Sequence, residues 1–496
     1  MEFGNRTLFC RIFTPARAAF AGSLLLSFIA VQGHLINRDG VFYLTRAQVT
    51  LEQGLAAVLK LGDWNFLAIL IAACSALTGL NPETAAQLMN AFFMAGACAL
   101  AVVWVQRRSP EAAWAACLVV LAMPAFNQYR HEILREFGFW FFSLLGLWLA
   151  ARWGETQRRR DALLGQLALA VAVLFRLEAA VFYPALMLWQ AFAAPAGQKA
   201  RRALMIGALP LAGGLLVLLV FVSGVVTPPG RLVYYLDAAN PLRTIGILGE
   251  AGRRMSDLVF PYTFSQEEAG YVLFFGLLSI IPVKFMMMTG LLLVPLVWQL
   301  GQRPARDWLT RWQPLPWALL AYLLTLVAFV THQFFLAGRY VSMLHWLTVP
   351  FVAGGLTLML RRWPRWRIPV IVLALAMMAA NVVSSTPPRT HIVEAGRWLA
   401  EHAPDRRRVG ADDNRIAYHA GLQGGGIAVM GRPELAQALA EGRLDMIAIR
   451  APRGDQQAEV WLRENHLGEL RRFDGRGGES IIVAAPERAM PSGAGR

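Results

Sequence analysis

Acidic residues are scarce in this chain: 32 Asp and Glu stand against 47 Lys and Arg, and charged residues make up only 16% of it. Cysteine is scarcer still. The four are Cys10, Cys74, Cys98 and Cys117; none has metal-ligand spacing and none follows residue 117. A disulfide framework in the C-terminal part is thereby excluded. No two of the eight histidines have zincin spacing, no serine sits in a nucleophile elbow, and no Walker loop occurs, so ATP-driven transport has no support. Gly424-Gly425-Gly426 is a turn without the spacing of a dinucleotide loop. The chain contains no internal repeat.

What it has is apolar residue in blocks. The hydrophobic fraction is 56% and the mean hydropathy +0.44. A bilayer core is crossed by about 20 helical residues. Eleven blocks are candidates for that role: 18–31, 84–105, 112–126, 137–149, 162–175, 179–192, 203–226, 280–300, 315–330, 340–360 and 368–383. The first follows Arg6, Arg11 and Arg17, and no small-residue cleavage site comes after it, so it reads as a retained helix and not a signal peptide. Residues 41–61 and 66–77 read as helices on the membrane surface. The net charge of +15 invites a nucleic-acid reading. Topology explains it better, since cytoplasmic loops collect Lys and Arg. With the N-terminus inside and eleven crossings, nineteen Lys and Arg fall in the N-terminal segment and short inner loops, including Arg158-Arg159-Arg160. No nucleic-acid partner is expected.

The chain therefore predicts a polytopic α-helical membrane protein of a cytoplasmic membrane. Its membrane domain covers 1–383, with an outer loop and surface helices at 34–83. The extracytoplasmic side also receives 127–136, 176–178, 227–279, 331–339 and everything after 383. In that tail, 384–496, helices at 392–402, 433–441 and 458–465 alternate with strands at 408–411, 427–430, 445–450 and 480–485. This is the pattern of a small α/β domain with a disordered end at 491–496.

Charged residues gather on the outer side. Asn37-Arg38-Asp39-Gly40-Val41-Phe42-Tyr43 follows the first helix, and charge so near a membrane is costly unless it lines a polar site. Asp39 reads either as a catalytic carboxylate or as the cap of a helix beginning near Val41. Glu132 and Glu136, four apart, share a face if helical, and could bind a metal or an acceptor; otherwise they end a helix in an interfacial charge network. Arg135 and His131 are their neighbours. Arg176 and Glu178 interrupt an apolar run, either as a tight turn or as a phosphate site. Arg339 and Tyr340, with His332 just before them, open a late helix and either anchor it at the interface or neutralise an anionic head group. Lys284, near the outer end of its helix, and Lys60 are further cations of this kind.

Five motifs together resemble the GT-C glycosyltransferases, closest to bacterial relatives of the protein O-mannosyltransferases and the lipid A aminoarabinose transferase. They are Asp39-Gly40-Val41-Phe42-Tyr43; Arg135-Glu136-Phe137-Gly138-Phe139-Trp140-Phe141-Phe142; Gly338-Arg339-Tyr340 in a helix continuing to Pro350; Glu394-Ala395-Gly396-Arg397-Trp398-Leu399; and Asp413-Asn414-Arg415-Ile416-Ala417-Tyr418-His419-Ala420-Gly421. The resemblance implies a sugar donor carried on polyprenyl phosphate and an outer-loop carboxylate as base, which would be Asp39. Many relatives have Asp-Glu where this chain has Asp39-Gly40, so Glu136 is the substitute for a second carboxylate and a divalent metal stays open. The expected activity is an inverting hexosyl or pentosyl transfer to a glycan, lipid or protein acceptor. Arg38, Tyr43, Lys60, His131, Arg135, Arg176, Glu178, Lys284, His332, Arg339 and Tyr340 are the candidate binding residues, and membrane lipids are further partners. The competing class is a transporter or flippase of lipid-linked saccharides, but transporters commonly carry repeats and midplane charge.

Overall fold

The computed structural model describes residues 14–32, 35–62, 64–224, 230–238, 240–302, 309–383, 390–403, 408–421, 427–453 and 455–487. Arg6, Arg11, the Gly424-Gly425-Gly426 turn and the 491–496 end lie outside them. The described chain packs as two units. The first draws on 1–29, 90–130 and 135–382, and the second on 30–89, 131–134 and 383–496.

Six described helices are long and apolar enough to cross a membrane: Pro82–Arg108, Lys199–Val222, Ala269–Gln302, Leu315–Gln333, Gly338–Arg362 and Pro364–Val382. Shorter apolar helices are Pro15–Val31, Phe66–Thr78, Pro110–Ala122 and Leu177–Ala193. The chain is a polytopic helical membrane protein with a small C-terminal sheet. Many helices run past their apolar blocks, because Arg and Lys stems lie along apolar surface while their heads reach water.

The largest departure from the sequence reading is Ala269–Gln302. Its first helix, Ala269–Thr289, starts inside the stretch 227–279 expected to lie wholly outside, because 269–279 is itself apolar and continues the helical run. Lys284 therefore stands in the body of a helix, half-buried, and not near its end. Gly290, at φ 57°, and a single 3-10 turn break the span before Leu293–Gln302.

One hairpin sets the site in the first unit. Glu136–Thr156 packs along Arg159–Phe175, and the two are joined through Gln157 in the left-handed conformation. The helices approach closely because small residues face each other. A Cβ on Gly146 would lie 3.0 Å from the Gly165 carbonyl oxygen, and one on Gly165 3.2 Å from that of Gly146. At the hairpin's open end a Cβ on Gly138 would overlap the Phe175 ring. That clearance lets the chain reach Arg176 beside Glu136.

In the second unit the single helix predicted over 41–61 is two helices, Arg38–Gln53 and Leu55–Lys60, broken at Gly54 with φ 83°. The tail forms a five-stranded sheet in the order β2-β1-β3-β5-β4, from β1 (Val409–Ala411), β2 (Ala428–Val429), β3 (Met446–Ala451), β4 (Leu467–Asp474) and β5 (Ser480–Pro486). β1 is parallel to both β2 and β3; β5 is antiparallel to β3 and β4. Helices Thr390–His402 and Asn414–His419 cover one face, where Ile392, Ala395, Leu399 and Ile416 bury against Val409, Ala448 and Val483. Leu435, Ala438 and Leu462 fill the other with Ile447, Ile449 and Ile482.

Candidate functional site

Six of the predicted residues meet in the first unit. Arg176 is buried at the end of Arg159–Phe175, and its Nη1 donates to Glu136 Oε1 at 2.6 Å. Its Nη2 donates to Glu178. The Arg339 Nε lies 3.3 Å from the same Glu136 oxygen. The Arg176 guanidinium sits over the Tyr340 ring, 4.4 Å from its centroid. Arg135 precedes Glu136 and acts electrostatically on both carboxylates. Three guanidinium groups thus serve two carboxylates, which leaves one positive charge over.

Tyr322, on Leu315–Gln333, completes the cluster. Its hydroxyl donates to the Tyr340 carbonyl at 2.9 Å. Sequence reasoning missed it, since a tyrosine inside an apolar helix gives no periodic signal; the one clue is that a buried Tyr hydroxyl normally has a partner.

The cluster closes one end of a cavity of about 600 Å³. Arg176, Glu178, Tyr322 and Tyr340 form the polar end. The remaining wall is almost wholly apolar, with Leu188, Trp317, Leu320, Leu324 and Phe329 among its side chains. Among the described residues, Arg176 Nε and Glu178 Oε2 are buried without a hydrogen-bond partner, so the polar end keeps both a donor and an acceptor in reserve.

The second unit holds the Asp39 turn. The helix begins at Arg38 with Asn37 in the cap position, so Asp39 lies in the first turn and is not the cap. Asn37 makes no capping bond. Its side chain instead pairs with the 131–134 segment, Oδ1 accepting from Ile133 N at 2.9 Å and Nδ2 donating to Ile133 O at 3.4 Å. Gly40 permits that approach: a Cβ there would lie 2.5 Å from Asn37 Oδ1, 2.9 Å from Ile36 Cγ2 and 3.1 Å from Ile133 Cβ. A glutamate at 40 has no room, which accounts for Asp39-Gly40 where the resemblance leads one to look for Asp-Glu.

Arg38 reaches the tail. Its Nη2 donates to Asp413 Oδ2 at 2.9 Å and its Nε to the same oxygen at 3.3 Å. The Asp413 side chain is fully buried, and it also takes Arg415 at 2.7 Å. Burial alone would push the Asp413 carboxyl up; the hydrogen bonds and charge of Arg415, with the Arg38 hydrogen bond, outweigh it and hold the carboxyl at about 2.

The other candidates are scattered. Glu132 and Glu136 do not share a helical face, because the helix starts only at Glu136 and Glu132 sits in a bend with His131 3.9 Å away. Tyr43 is buried edge-on to Phe42. Lys60 is exposed in the last turn of Leu55–Lys60, and His332 is half-buried in the last turn of Leu315–Gln333. Among the described residues no three His, Cys, Asp or Glu form a set able to hold a metal.

No protein-family model matches the chain, and no curated protein matches it in sequence. Solved structures do match. The Archaeoglobus fulgidus oligosaccharyltransferase in complex with Zn and sulfate gives a TM-score of 0.53 at 11% identity, covering 97% of this chain and 74% of that one. The same protein tethered to an acceptor peptide containing the NVT sequon gives 0.51 at 13% identity, over 98% and 76%. ArnT from Cupriavidus metallidurans bound to undecaprenyl phosphate gives 0.53 at 14% identity, over 99% and 100%. The likeness is one of fold: the chain has the architecture of the GT-C glycosyltransferases.

Proposed function

We propose that the chain is a glycosyltransferase that moves a sugar from a polyprenyl-phosphate carrier to a hydroxyl of a glycan, lipid or protein acceptor at the outer face of the cytoplasmic membrane. The observation that carries this reading is the cavity in the first unit, apolar along its length and charged at one end. A polyprenyl chain needs an apolar trough, and its phosphate needs cations and donors. ArnT, similar in fold over this whole chain, has been solved with undecaprenyl phosphate bound.

Direct displacement needs only three contributions. The acceptor oxygen attacks the anomeric carbon while the bond from that carbon to the phosphate oxygen breaks. The polyprenyl phosphate leaves with the electron pair, stabilised by the surplus positive charge around Arg176, Arg339 and Arg135. The acceptor proton passes to Asp39, a role that typically contributes about 10²–10⁴-fold. One displacement inverts the anomeric centre. No step is assigned to a metal.

Undecaprenyl phosphate binding to the purified protein, followed by native mass spectrometry, tests the cavity. Ala321→Trp fills its wall and is expected to weaken binding at least ~10-fold with folding intact. Undiminished binding would remove the cavity from the site. Asp39→Asn is expected to abolish transfer while leaving lipid binding in place.

A further inference from the structure

The sheet domain has no part in the chemistry above. We propose that it is a clamp for the segment that carries Asp39, and that Asp413 is the positioning residue through which it grips. The functional side of this inference rests on Asp39 being the base.

The clamp follows from the topology of the sheet. From β1 the chain leaves through Asn414–His419 to β2 on one side, and from β3, parallel to β1, it leaves through Gln456–Glu464 to β4 on the other. The connections therefore diverge at the carboxyl ends of β1 and β3. In open α/β sheets this is where a crevice forms and a ligand binds. Asp412, Asp413 and Asn414 follow β1 there, and Arg450 lies near the end of β3, its Nη1 3.5 Å from Asp413 Oδ2.

The crevice is filled by the chain's own Arg38. Besides the two bonds from its guanidinium to Asp413, the Arg38 carbonyl accepts from Asn414 Nδ2 at 2.9 Å. Leu35 packs on the core beneath Ile392 and Ile416. The Tyr418 hydroxyl, from the same short helix, donates to Glu83 at 3.0 Å. On the other side Asn37 is fixed to Ile133. The two residues before Asp39 are thus each held by a partner far away in sequence, Arg38 by the side chains of Asp413 and Asn414 and Asn37 by the Ile133 main chain, and the Asp39 carboxylate inherits that placement. Asp413 suits the task because it is itself immobile, fully buried and locked by Arg415.

Hydrogen exchange read by mass spectrometry on the full-length protein, alongside transfer kinetics, tests the clamp. Arg38→Ala and Asp413→Asn are expected to speed exchange of amides 40–46 at least ~10-fold, with no change in the hairpin of the first unit. The same variants are expected to lower kcat on the order of 100-fold, the usual cost of a misplaced catalytic group, with the donor KM within about threefold. Arg38→Lys keeps one ion pair and is expected to restore part of kcat. Unchanged exchange would overturn the clamp, and faster exchange with full turnover would overturn the positioning role. Arg38→Ala covers the case in which Asp413→Asn unfolds the domain, because it leaves Asp413 paired with Arg415. Exchange needs no catalysis, so a wild-type protein that transfers no sugar would count against the proposed reaction while the clamp is still read.

Discussion

Gly40→Ala adds one methyl group at the most constrained point of the Asp39 turn. The new carbon would stand 2.5 Å from Asn37 Oδ1, 2.9 Å from Ile36 Cγ2 and 3.1 Å from Ile133 Cβ, where carbon contacts relax at about 3.5–4.0 Å. None of the three neighbours yields freely. Asn37 Oδ1 holds the Ile133 amide at 2.9 Å, a bond worth about 1 kcal/mol net, and Ile36 and Ile133 are both buried. The first turn of Arg38–Gln53 must therefore shift away from the 131–134 segment. Overpacking of this kind costs about 1–3 kcal/mol, against roughly 1 kcal/mol returned by the better helix propensity of alanine. The expected fall in melting temperature, followed by tryptophan fluorescence, is thus small. The expected loss of turnover is large, because the shift displaces Asp39. Gly40→Glu, which restores the Asp-Glu pair, is expected to be worse. Wild-type turnover in Gly40→Ala, measured with a polyprenyl-phosphate sugar in reconstituted vesicles, would refute both the strain and the importance of the turn.

Three further outcomes are expected. Glu136→Gln removes the carboxylate shared by Arg176 and Arg339, and breaking a buried pair costs about 3–5 kcal/mol, so its melting temperature should fall well below that of Gly40→Ala; an unchanged value would show the cluster to be solvated. Asp413 is held at about 2 in the folded state against an unfolded value near 3.8; a depressed carboxyl contributes its stability, here about 2 kcal/mol, above pH 4 and loses it as the pH falls through 2. The stability gap between wild type and Asp413→Asn should therefore close between pH 4 and pH 2, and a gap constant across that window would contradict the pairing. Finally, in a cysteine-free background an impermeant thiol reagent on spheroplasts should label Glu459→Cys in the tail and spare Arg159→Cys; the reverse pattern would invert the topology.

The helices were legible because the bilayer demands long apolar runs, and ten of the eleven predicted blocks lie largely within helices of matching extent. The eleventh, 280–300, caught only the later part of Ala269–Gln302. Its ends were not legible, since an apolar stretch before a span reads the same whether it continues the helix or lies beside it. β4 was missed for a physical reason. Leu467–Asp474 is an edge strand whose Glu469, Arg471 and Arg472 blunt the edge, and those charges erase the apolar alternation by which a strand is recognised. Motif reading found Asp39, Glu136, Arg176 and Arg339 as separate points. In the first unit Glu136 and Arg176 meet because Gly138 clears Phe175, and in the second the Asp39 turn closes because Gly40 clears Ile133; a glycine in sequence does not say what it makes room for. The Glu132–Glu136 pair failed because i,i+4 spacing carries meaning only inside a helix.

Burial distinguishes the arginines that the sequence treats alike. The Arg176 side chain is 3% exposed and already holds two carboxylates, one through each terminal nitrogen, so those two N–H groups reach a phosphate only by displacing Glu136 or Glu178. Its Nε has no partner among the described residues, and in the proposed site its chief contribution at the cavity end is a positive charge held in place by the two carboxylates. Arg339 touches Glu136 at 3.3 Å and is 24% exposed, which gives its fork more freedom to turn toward an anion. Arg130 is the contrasting case. It is buried and pairs with no carboxylate among the described residues, held by the Ser23 carbonyl and the Ser23, Ser27 and Asn127 side chains at 2.7–2.9 Å, a neutral cage that ties the first helix to the 124–130 turn. A guanidinium committed to so many neutral acceptors serves packing. One shared between carboxylates at the polar end of an apolar cavity fits the anion-binding role proposed above, because its partners hold the charge in place beside the space.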